Sequence, residues 1–115
     1  MAEIQHDVME MDVLFVGAGP SGLAGAYHLA KLIKTHNEAI AQGTKQGQKI
    51  SLENGIGLLE KGKNVGDHML SGAILDPIAM KELIPDFLNK QFPAESEVTG
   101  EAMYLLTEKG KFKFP

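Results

Sequence analysis

Gly17-Ala18-Gly19-Pro20-Ser21-Gly22 sets glycines at the first, third and sixth places of a hexapeptide, a pattern that can receive a diphosphate anion on bare backbone amides. Each glycine has its own task. Gly17 permits a sharp turn, Gly19 lets an anion approach without striking a Cβ atom, and Gly22 allows a helix to pack closely on a strand. Pro20 has no N–H, so the anion falls to the amides around Ser21 and Gly22, assisted by the positive end of a helix. The Ser21 hydroxyl can add to them. A second chemical requirement is an acid whose carboxylate accepts from two ribose hydroxyls. Glu60 stands where such an acid belongs, at the end of an apolar run; Glu53 is the alternative, but it precedes that run. The interval is long: 43 positions separate Gly17 from Glu60, against about 20 in the usual dinucleotide fingerprint. An insertion spanning 34–54 must absorb the excess.

The elements around these residues are those the motif needs. Asp12 to Val16 is an apolar run ending at the first glycine, as expected for a strand buried on both faces of a parallel sheet. Leu23, Ala26, Tyr27, Ala30 and Ile33 then recur at three- and four-residue steps, predicting a helix from Ser21 to about Lys34 and as far as Ala41. Asn54-Gly55 lies between Ile50–Leu52 and Ile56–Leu59, so this region is either a hairpin or a crossover ending in one strand, Ile56–Glu60. The preceding strand and helix favour the crossover. Lys61 to Gly72 reads as loop. Asp76-Pro77 predicts a short helix to Leu83 with aspartate as its cap and proline as its first residue. Phe87 to Gly100 reads as a surface connection. Met103–Thr107 and Lys111–Phe114 predict a hairpin with one face exposed. The fold class is therefore α/β, a Rossmann-like βαβ unit followed by a loop, a short helix and a β-hairpin. Two parallel strands cannot cover their own edges, so residues 1–115 read as the N-terminal part of a single FAD/NAD(P)-binding domain whose remainder is absent.

Composition narrows the chemistry. The net charge is −4, from 15 acidic residues against 11 basic ones that are all lysine, with no basic stripe for nucleic acid. Without arginine no bidentate phosphate clamp can form. Without cysteine the segment holds no disulfide, thiolate nucleophile or iron–sulfur ligand. The small-residue stretch from Val13 to Ile33 follows Glu3, Asp7, Glu10 and Asp12, the wrong flank for a signal peptide. No arginine-rich presequence precedes it.

Asp12-Val-Leu-Phe-Val-Gly-Ala-Gly-Pro-Ser-Gly-Leu-Ala24, Leu58-Leu-Glu-Lys-Gly62 and above all Val65-Gly-Asp-His-Met-Leu-Ser-Gly-Ala-Ile-Leu-Asp-Pro77 resemble the electron transfer flavoprotein–ubiquinone oxidoreductase family. Val98-Thr99 and Leu105-Leu106-Thr107 agree. The resemblance implies an FAD enzyme that takes electrons from reduced electron transfer flavoprotein, uses a [4Fe–4S] cluster, and reduces ubiquinone at a membrane surface. That surface would face the bacterial cytoplasm or the mitochondrial matrix. It further implies that Gly17, Ala18, Gly19, Pro20, Ser21 and Gly22 form the diphosphate bend, that Glu60 and Lys61 lie at the ribose, and that His68, Ser71 and Gly72 lie on a loop beside the flavin. The cluster's cysteines would lie elsewhere in the longer protein, and this segment alone would be inactive. The region 65–86 would lie near the quinone entrance and the bilayer. From the residues alone, Ile78, Ala79, Leu83 and Ile84 form a short apolar patch that suits either a membrane surface or a protein core. A flavin enzyme of the geranylgeranyl-reductase or FixC type, or a non-catalytic nucleotide-binding module, remains as an alternative.

The remaining candidates read as structural. His6, His28 and His36 have no partners at metal-ligand spacing. Ser71 lacks the elbow of a hydrolase nucleophile. Met69, Met80 and Met103 read as core filler.

Overall fold

Gly17, with φ +99°, ends the first strand, because only a residue without Cβ turns the chain there without strain. The computed structural model describes residues 7–70 and 72–114; His6 and Ser71 lie outside them. The chain forms two compact units, divided between residues 71 and 72.

In the first unit, β1 (Val13–Val16), α1 (Pro20–Ala41) and β2 (Ile56–Leu59) follow in order. The two strands pair in parallel, with Val13 opposite Ile56 and Val16 opposite Leu59. The crossover reading of the 50–59 region therefore holds, and Ile50–Leu52 is not a strand. Asp12, just before β1, accepts at Oδ2 from the amides of Asn54 (2.7 Å) and Gly55 (2.9 Å). Those bonds fix where β2 enters the pair.

α1 runs 22 residues, the longer of the two extents the sequence allowed. Its packed face differs from the expected one. Leu23, Tyr27 and Ala30 are exposed, whereas Gly22, Gly25, Ala26, Leu29, Ile33 and Ile40 are half-buried. The helix turns its glycines inward because it lies too close to β1 for side chains: a Cβ on Gly25 would stand 2.7 Å from Phe15 Cε1. At the far end, Asn37 exchanges two 2.8 Å bonds with the backbone of Ile50. His36 Nε2 lies 3.0 Å from the Gln48 carbonyl. These contacts tie the insertion back onto the helix and explain how 34–54 is absorbed.

The expectation that β1 is buried on both faces is not met. Val13 and Phe15 are half-buried, while Leu14 and Val16 are exposed. α1 packs against the Phe15 side through Gly25, and nothing in the described chain fully covers the other face.

In the second unit, α2 (Ile78–Leu83) starts one residue later than expected. Pro77 is its cap residue and its carbonyl accepts from Lys81 at 2.9 Å. Asp76 reaches past it to the Ile78 amide at 3.0 Å, so the carboxylate still serves the helix start. The supposed surface connection contains a 3-10 turn, Phe87–Asn89, and Phe87 is buried against the edge of Phe92. The hairpin forms as β3 (Tyr104–Thr107) and β4 (Gly110–Lys113), antiparallel, around Glu108-Lys109. All of its residues are exposed, on both faces rather than one. Among the described residues no helix is long and apolar enough to cross a membrane.

Candidate dinucleotide site

The bend between β1 and α1 begins with one more rung of sheet pairing. The Gly17 amide donates to the Leu59 carbonyl at 2.7 Å, holding the two strand ends side by side. The chain then turns at Gly17 and passes through Ala18, which is buried. Gly19 caps the helix with φ −73° and ψ 179°, Pro20 occupies the first helical turn, and the Gly19 carbonyl accepts from Leu23 at 3.0 Å. No side chain caps this helix start, and its first turn has no acidic residue. The amides of Gly19, Ser21 and Gly22 donate to no acceptor among the described residues. Free donors at the positive end of a helix favour an anion.

The glycines serve different ends. A Cβ on Gly22 would overlap the Gly17 carbonyl oxygen, so the bend closes only with glycine there. A Cβ on Gly19 would meet nothing within 4 Å. The protein's own packing therefore does not demand glycine at 19, and that side of the bend is open. This open cradle is what a cofactor diphosphate would fill, and the residues present fit one.

Ala18 does not offer its amide to that cradle. Its N–H donates to Glu60 Oε2 at 2.9 Å. The other carboxylate oxygen, Oε1, accepts from the Gly62 amide at 2.8 Å. Glu60 thus clasps the bend to the loop after β2. These two amides, Gly62 foremost, hold its carboxyl below the usual carboxylate range; burial opposes them, and His68 and the Lys61 amide add to the lowering. A carboxylate has about four lone-pair sites, more than these amides occupy, so acceptor capacity remains for a ribose hydroxyl. Glu53 has no such geometry described.

A group whose pKa is lowered by folding stabilises the fold in full above its unfolded value, and that contribution disappears as pH falls through the folded value. Glu60→Gln is therefore expected to melt lower than the wild type near neutral pH. The two curves should begin to converge as pH falls below the unfolded value of about 4.3 and meet once it has passed the lowered folded value, where the glutamate is neutral too. Parallel curves throughout would mean that the clasp adds nothing to stability.

Glu60 lines an open cleft of about 490 Å3 together with Val16, Gly17, Leu59, Lys61 and His68. The structure thus brings together Gly17, Glu60, Lys61 and His68 from the sequence-derived set. Gly72 belongs to the second unit, at φ +76°, and Ser71 lies outside the described residues. Sequence reasoning missed the Ala18 and Gly62 amides as partners of Glu60; only the short step from Glu60 to a glycine hinted at the second. Among the described residues no group of three or more potential ligands could hold a metal ion.

Similarity to known proteins extends over nearly the whole chain. It is 38% identical over 110 residues to the mitochondrial electron transfer flavoprotein-ubiquinone oxidoreductase of Dictyostelium discoideum, covering 96% of this chain and 16% of that protein. The mouse mitochondrial protein of the same name is 41% identical over 106 residues, 92% of this chain and 15% of its own length. The Pseudomonas aeruginosa protein is 38% identical over 103 residues, 90% and 16%. The chain thus spans about one-sixth of the length of the curated relatives it matches. No family model matches it, and no solved structure does.

Proposed function

We propose that this chain, homologous over some nine-tenths of its length to a segment of the electron transfer flavoprotein-ubiquinone oxidoreductases, is the FAD-binding part of such an enzyme, with a Rossmann-like βαβ unit at its centre. The observation that carries the reading is the open bend at Gly19, whose neighbouring amides have no partner among the described residues and whose helix start has no side-chain cap there. In this reading the amides of Gly19, Ser21 and Gly22 receive the diphosphate and Glu60 receives the ribose. Lys61 sets a positive charge beside the bend, which offsets the carboxylate as an anionic cofactor approaches. FAD, once bound, supplies the one- and two-electron chemistry that no side chain here can perform.

The rest of the activity belongs to the longer protein. A [4Fe–4S] cluster would draw its cysteines from outside this segment, which has none. Electron transfer flavoprotein and ubiquinone are the proposed electron donor and acceptor, and a membrane surface the proposed location, facing the mitochondrial matrix or bacterial cytoplasm. The mitochondrial names of the Dictyostelium and mouse relatives are consistent with the former. No feature described here favours the geranylgeranyl-reductase-type alternative or a non-catalytic module.

Purified full-length protein is expected to show the absorption of an oxidised flavin together with iron–sulfur absorption, and to oxidise reduced electron transfer flavoprotein with a ubiquinone analogue as acceptor. A colourless protein would overturn the proposal. Flavin without a cluster would move it toward the geranylgeranyl-reductase type.

A further inference from the structure

His68 is the titratable side chain that faces Glu60 from the loop after β2. Its Nδ1 lies 3.8 Å from Glu60 Oε1, with the imidazole 60% exposed and the carboxylate side chain 22% exposed. Gly62 lies close to both, since a Cβ there would come within 3.2 Å of Glu60 Oε1 and of His68 Nδ1. The family resemblance set this histidine beside the flavin. The structure sets it beside the carboxylate whose other oxygen holds Ala18 in the bend.

We infer that His68 is a positioning residue for the adenosine end of the cofactor, acting through Glu60: its ring, beside Oε1, helps fix the carboxylate in the orientation that faces the ribose. This rests on the dinucleotide reading of the site. The surrounding charges leave that role to His68. Lys61 is the other cation lining the cleft, and Val16, Gly17 and Leu59 bring no titratable group. Lys63 and Asp67 share the loop with His68, and the Asp67 carboxylate is engaged by the Asn64 amide at 2.8 Å and by Asn64 Nδ2 at 3.4 Å. An ion pair this exposed is modest, and its loss corresponds to roughly a three- to fivefold change in affinity.

ADP separates the two ends of the cofactor, because it carries the adenosine and diphosphate and lacks the flavin ring. Calorimetric titration of the flavin-free full-length protein with ADP at pH 6 is expected to show roughly three- to fivefold weaker binding by His68→Gln than by the wild type. His68→Lys, which keeps a cation, should retain the wild-type affinity at that pH. Unchanged ADP binding by His68→Gln at pH 6 overturns the inference. So does a His68→Gln defect seen with FAD and not with ADP, which would return the residue to the flavin end. Failure of the wild type to bind either compound overturns the dinucleotide reading, and the inference with it.

Discussion

Replacing Gly19 by alanine is expected to weaken FAD binding by roughly a hundredfold or more while leaving the apoprotein folded. The added methyl meets nothing within 4 Å in the protein, and the backbone at φ −73° and ψ 179° is one that alanine adopts freely. Its cost to folding is that of a poorer helix cap, about 0.5–1 kcal/mol. The methyl does, however, occupy the space through which a diphosphate must reach the amides of Ser21 and Gly22. Losing one or two hydrogen bonds to a charged group costs about 1.5–3 kcal/mol each, or one to four powers of ten in affinity. Fluorescence titration of apoprotein with FAD, alongside a thermal melt, separates the two effects. A large fall in melting temperature with unaltered affinity would show that Gly19 serves the fold.

Gly22→Ala should behave in the opposite way and produce the largest loss of stability among these substitutions. Its Cβ would overlap the Gly17 carbonyl oxygen, and that obstacle is backbone at a turn already at φ +99°. Either α1 tilts away from β1 or the bend opens; overpacking of this kind costs about 3 kcal/mol, enough to lower the melting temperature by several degrees. Gly25→Ala is a useful contrast, because its Cβ would meet the Phe15 ring at 2.7 Å, and a side chain can be trimmed. Phe15→Leu is expected to recover part of the Gly25→Ala loss and none of the Gly22→Ala loss. The double-mutant cycle measures that difference, and equal rescue of both would contradict the assignment of the clash at 22 to backbone.

The bend itself was legible in the sequence because its requirements are local. A glycine at positive φ, a proline in the first helical turn and an apolar run before them need no distant partner, and the crossover to β2 followed from the parallel pairing they imply. What sequence could not reveal depends on contacts between distant residues. The inward face of α1 was read correctly at Ala26 and Ile33 and missed at its glycines, because periodicity weighs large apolar side chains, whereas close approach to the Gly17 carbonyl selects Gly22 and close approach to Phe15 selects Gly25. β1 reads as doubly buried because its composition suits a covered sheet, yet the described chain supplies one helix for one face. Glu60 was singled out as the candidate acid from its position at a strand end. Its bonds to Ala18 and Gly62 were not, since backbone amides carry no sequence label. His68 stood out only by family resemblance, and its place beside Glu60 could not be read from the sequence, because it depends on how the loop after β2 folds.

Amide hydrogen exchange of the full-length apoprotein, read before and after FAD is added, bears most directly on the central claim that free backbone amides at this bend receive the diphosphate. Exchange at Gly19, Ser21 and Gly22 should slow sharply on binding, while the Ala18 amide, already bonded to Glu60, changes little. Saturating FAD that leaves those three amides exchanging as before would contradict the claim outright.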